Sequence, residues 1–67
     1  GLLDLLARRR VIDWEGKRII EATLIGGKTL KEISRPEEYE RLKYHRANTL
    51  KAIRDYLFAI QKKWNAP

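Results

Sequence analysis

The chain has no cysteine and a single histidine, His45. Disulfide staples are therefore excluded, and so is a structural zinc site, which takes several Cys or His ligands. Nucleophilic chemistry is poorly provided for as well. The only serine, Ser34, stands eleven residues from His45 with no acid spaced to orient the pair. Gly26-Gly27-Lys28-Thr29 echoes the tail of a phosphate-binding loop but lacks the upstream glycine such a loop needs. No apolar run approaches the roughly 18 residues of a membrane span, and the leucine patch at residues 2–6 is too short for a secretory signal. Neither an enzyme nor a cofactor is expected, and a cysteine-free chain fits a reducing, cytoplasmic setting.

What is present is charge on a small frame. The 67 residues describe one small domain, or a piece of a longer chain. A domain of this size buries only about 60% of its unfolded surface, so docking or self-association is expected to support it. Fifteen Lys and Arg against nine Asp and Glu give a net charge of +6. That balance makes nucleic acid the default partner class, the plain alternative being a well-solvated surface.

The excess is concentrated in residues 36–64, which read as one long helix. Neither Gly nor Pro falls between Glu37 and Trp64. Ser34 or Arg35 caps it, Pro36 occupies its first turn, and Glu37, Glu38 and Glu40 answer the N-terminal dipole. Seven bases (Arg41, Lys43, Arg46, Lys51, Arg54, Lys62 and Lys63) then face one acid, Asp55. Tyr39, Leu42, Leu50, Ile53, Leu57, Ile60 and Trp64 form one apolar stripe at helical spacing. From Leu50 onward its 3-4-3-4 spacing is that of a helix seam, read first as core and second as a homodimer or protein-partner contact. Arg46 falls at the centre of the stripe, so it either lies where the stripe is open or reaches out to an anion. Tyr44, Lys51, Arg54, Phe58 and Lys62 mix basic and aromatic groups on another flank, a combination suited to nucleic acid.

Residues 2–10 predict a short helix with Leu2, Leu5 and Leu6 on one face and an arginine run at its end. Residues 11–34 support two readings. In one, Asp13 caps a helix with Trp14, Ile19, Ile20 and Leu24 inward, Gly26-Gly27 ends it, and a short helix starts at Thr29. In the other, Gly26-Gly27 turns a β-hairpin and Gly16 marks a further turn. Glu21 would then oppose Glu32, a like-charge pairing that tips the choice toward helix.

Gly27-Lys28-Thr29-Leu30-Lys31-Glu32-Ile33-Ser34 resembles the scaffold helix of LuxR/FixJ-type helix-turn-helix domains. Leu42-Lys43-Tyr44-His45-Arg46-Ala47-Asn48-Thr49-Leu50-Lys51 resembles their recognition helix. The two strings cover about a quarter of the chain. The resemblance implies that Lys43 and Arg46 contact phosphate or bases with His45 and Asn48 in support, whereas a lone His in a helix otherwise reads as a partly buried structural residue. Arg35 to Arg41, between the strings, is shorter than the family's turn and carries three glutamates.

The expectation is a mainly α domain with a long C-terminal helix, the alternative being α+β with a hairpin. Its expected function is to bind nucleic acid, double-stranded DNA first and RNA second, as a transcriptional regulator would. The contact residues are Lys43, Tyr44, Arg46, Asn48, Lys51 and Arg54. The competing expectation is an assembly module, of the phage-connector or subunit-adaptor kind, acting through Leu50, Ile53, Leu57, Ile60 and Trp64.

Overall fold

A computed structural model describes residues 1–65. The fold is mainly α: four helices and no strand among the described residues. Helix α1 spans Leu2–Arg8, and α2 spans Trp14–Ile20 and continues through a π-helical turn, Glu21–Ile25. A single turn, α3 (Leu30–Ile33), leads to a 3-10 turn (Pro36–Glu38) that opens directly into α4, Tyr39–Asn65. None of these helices is long and apolar enough to cross a membrane.

Local chemistry explains most of the boundaries. Helix α1 ends in a Schellman motif: Val11 N–H donates to Leu6 O at 2.9 Å and Arg10 N–H to Ala7 O at 3.1 Å. Val11 packs back on the Leu6 cluster, the apolar contact that accompanies the motif. The left-handed position falls on Arg10, with φ of 60°, where glycine is the usual occupant. Asp13 starts α2 by accepting the Gly16 N–H at 2.6 Å. Gly26-Gly27 closes the helix instead of turning a hairpin. Gly26 N–H reaches Glu21 O at 2.8 Å, Lys28 N–H reaches Ala22 O at 3.0 Å, and Gly27 takes φ of 69°. Thr29 caps α3, its hydroxyl accepting from Glu32 N–H at 3.2 Å. Ile19 and Ile20 are both buried, which adjacent residues of a strand pointing to opposite faces would not both achieve against one core.

The core lies where α1 and α2 cross the middle of α4. Leu6 is fully buried, joined by Ala7, Ile12, Ile19, Ile20, Leu42 and Thr49. Leu3, Val11, Ala52, Ile53 and Tyr56 pack around the Leu6–Ala7–Ile12 cluster. Helices α2 and α4 come close at Gly16, where an added Cβ would meet the Thr49 hydroxyl and stand 3.0 Å from Thr49 Cγ2. Gly16 is therefore a helix-crossing residue and not a turn. An ion pair from Lys17 Nζ to Asp4 at 2.8 Å ties α1 to α2, and a second from Lys17 Nζ to Glu21 at 2.9 Å, one turn on along the same helix, holds the ammonium in place.

Two residues expected inward are exposed, and the leucine face of α1 is only partly covered. Trp14 is 57% exposed, with Lys17 Nζ 5.3 Å from its ring centroid. It sits about 160° around the helix from Gly16, opposite the buried face. Leu24, on the π-helical turn, is likewise exposed. Leu2 and Leu5 remain half-exposed while Leu3 takes the inward place beside Leu6.

Two substitutions test this packing. Arg10→Gly should raise stability by about 0.5–1 kcal/mol, because it relieves a left-handed residue carrying a Cβ. Gly16→Ala should lower it by roughly 1–3 kcal/mol through overpacking, and Thr49→Ala in the same chain should recover most of the loss. Thermal melts of five proteins (wild type, Arg10→Gly, Gly16→Ala, Thr49→Ala, and the double variant at 16 and 49) read both effects. A Gly16→Ala chain as stable as wild type would contradict the close crossing.

Candidate nucleic-acid interface

Helix α4 has two differently employed sides. The side toward α2 carries a polar clasp. His45 Nε2 stands 2.8 Å from Asp13 Oδ1 and 3.8 Å from Glu15 Oε1. Arg41 grips Glu15 with both terminal nitrogens, at 2.7 and 3.2 Å, a forked geometry suited to a carboxylate. Thr49 donates to His45 O at 2.8 Å, fixing the rung between clasp and crossing. Asp13 thus accepts from both the helix it caps and the helix it crosses.

These contacts hold the carboxyls below their usual range. For Asp13 the Gly16 N–H is the larger cause and His45 the next. For Glu15 the cause is Arg41, and for Asp4 it is Lys17. The same bonds raise Arg41 and Lys17. All these groups lie near solvent, so each pair alone contributes little; their effect is to fix orientation.

Arg46 resolves the anomaly in the stripe. Its Nε donates to Thr23 Oγ1 at 3.1 Å, and the same hydroxyl donates to Ile19 O at 2.8 Å. The guanidinium is thus drawn along the π-helical end of α2, half-buried and away from the outward face.

Among the described residues, no other element covers the opposite side of α4. Lys43, Ala47, Lys51, Arg54, Phe58 and Lys62 are exposed there, within about 100° of arc, with Tyr44 beside them. Tyr44 is 66% and Phe58 68% exposed. Asn48 is exposed at the edge of this arc. Of the six expected contact residues, the structure gathers Lys43, Tyr44, Lys51 and Arg54, sets Asn48 at the margin and takes Arg46 elsewhere. Among the described residues, Arg54 has only an exposed contact of 3.6 Å with its neighbour Asp55. Glu40 marks the other end of the surface.

The expected seam is divided too. Leu50 and Ile53 are half-buried, Ile53 against α1, whereas Leu57 and Trp64 are exposed at 43% and 81%. Asp13, Glu15, Thr23 and Arg41, which orient the helix, were not read as site residues. Their partners lie 23 to 32 residues away in sequence, and no spacing signal links them.

No protein-family model, curated protein or solved structure matches the chain. The LuxR/FixJ-like strings fall on α3 and its cap and on the middle of α4; the scaffold-like helix is a single turn.

Stability should fall in acid. Groups with depressed pKa values stabilise the fold fully above their unfolded values of about 4 and lose that contribution as pH drops through the lower folded values. The melting temperature should therefore hold from about pH 7 to 5 and decline below about 4. Asp13→Asn, which keeps a cap but cannot titrate, should give a shallower acid limb. Circular-dichroism melts across pH check this, and parallel limbs would remove Asp13 from the clasp.

Proposed function

We propose that this chain is a small DNA-binding module that meets duplex DNA with the outward face of the middle of α4. The observation that supports this reading is the segregation of charge around that helix. Asp4, Asp13, Glu15 and Glu21 are engaged by Lys17, His45 and Arg41 on the α2 side. Lys43, Lys51 and Lys62 have no ion pair to a carboxylate of the described residues, and they share their face with exposed aromatic rings. A helix presented this way suits the major groove, with lysines and Arg54 on phosphates and Tyr44 and Asn48 nearer the base edges. Arg46 acts here as a positioning residue that holds α4 to Thr23.

The acidic first turns, with Glu37, Glu38 and Glu40, disfavour an end-on approach. A broadside contact centred on residues 43–54 avoids them, and this differs from the entry that the helix-turn-helix resemblance implies. An assembly role is the second reading, favoured by the apolar stripe left open at Leu57 and Trp64. RNA, with a deep and narrow major groove, fits a protruding helix less well.

Duplex affinity measured across a salt series tests the reading. Four phosphate contacts predict a log–log slope of about −3.6, and Lys51→Ala or Arg54→Ala should each reduce its magnitude by about 1. Arg46→Ala should lower the melting temperature more than it changes affinity. Absence of duplex binding at about 50 mM salt would sink the proposal.

A further inference from the structure

Helix α4 outruns the rest of the fold. Its 27 residues extend about 40 Å, in a molecule measuring 49 × 21 × 19 Å. Helix α1 stops alongside Tyr56, where Arg9 Nη1 donates to the tyrosine hydroxyl at 3.2 Å. Beyond that point the stripe continues through Leu57, Ile60 and Trp64, the last two bordering an open groove with Arg9, Tyr56 and Lys63. A tryptophan 81% exposed at the end of a heptad seam calls for a cover.

We propose that the cover is a second copy of this chain, its α4 paired antiparallel to the first with the two-fold axis between Leu57 and Ile60. The register follows from the spacing. If Leu57 faces Ile60 of the second copy, Trp64 faces Ile53 of that copy, because each step is seven residues. One register thus satisfies all four positions and, by symmetry, their counterparts, as a closed two-fold contact requires. Charge selects the direction. A parallel pair would bring two Lys62-Lys63 ends together with aligned helix dipoles. The antiparallel pair sets Arg54 beside Gln61 and Tyr56, with Arg9 on its hydroxyl, beside Lys63, so the lysine ends are kept apart and Arg9 is the one cation that Lys63 approaches.

The same arrangement bears on the DNA reading, and this part rests on it. The basic arc is centred about 120° around α4 from the seam, so the two arcs point to one side of the pair, each turned away from the other helix. The middle of residues 43–54 is ten residues from the axis, which places the two contact surfaces roughly 30 Å apart. One turn of B-DNA separates half-sites by about 34 Å. The inferred target is therefore a two-fold site with half-sites one turn apart.

The apolar surface is small for a specific interface, so the free pair should be weak, with a dissociation constant on the order of 0.1 mM. Sedimentation equilibrium to about 1 mM should show a monomer–dimer equilibrium, weakened at least tenfold by Leu57→Lys and by Trp64→Ser. Both positions lie outside the core, and unchanged circular dichroism at low concentration confirms the fold in each. Because the chain has no cysteine, Leu57→Cys and Ile60→Cys chains can be mixed and oxidised. Cross-linked heterodimer should dominate; predominance of the two homodimers would mean a parallel pair and overturn the proposal. A monomer at 1 mM that still binds duplex overturns the seam alone. A dimer without duplex affinity upholds the seam and overturns the DNA reading.

Discussion

The crossing of α2 over α4 at Gly16 and Thr49 is the contact on which the rest of the molecule depends. Because Gly16 has no Cβ, the helices approach closely enough for Asp13 to serve two masters: it caps α2 through the Gly16 N–H and meets the His45 ring. Glu15, two residues on, reaches Arg41 one turn earlier on α4. The crossing therefore fixes not only where α4 lies but how it is rotated. That rotation buries Leu42 and Thr49 and turns Lys43, Lys51 and Arg54 to solvent.

The electrostatic consequence is more specific than a net charge of +6 suggests. Basic residues are spread along the whole chain, but acids on α1 and α2 draw Lys17, Arg41 and His45 inward. What remains on the outside of α4 is a cationic strip with aromatic groups and only Glu40 and Asp55 as local opposition. Arg46 belongs to the inward set, although its neighbours in sequence do not. A guanidinium bonded to the Thr23 hydroxyl relieves what would otherwise be a charge buried without partners.

Features written in short stretches of sequence were legible. Asp13, Gly26-Gly27, Thr29 and Pro36 act on the backbone within a few residues, and each marks the boundary expected of it. The apolar spacing that predicted the long helix was equally readable, as was the mainly α class. Features that depend on the rotation of one helix against another were not. Trp14 and Leu24 look like core residues by type, yet the close crossing gives the inward face to Gly16, Ile19 and Ile20. Gly16 marks a turn in the hairpin reading and nothing in particular in the helical one; its place is set by Thr49 across the crossing. For the candidate site, the pattern on α4 located the strip but could not separate Arg46 from it, since that separation is made by a residue on another helix.

The long helix thus serves three ends in succession: an acidic start that caps, a middle clasped on one side and open on the other, and a tail whose apolar stripe exceeds the core available to it. The claim that matters most is that the open side of the middle is the contact surface. Titrating a duplex into the isotopically labelled chain and following backbone amide resonances tests it directly. Shifts should concentrate between Lys43 and Arg54, sparing α1. Shifts centred on α1, or none at all as duplex is added, would contradict it.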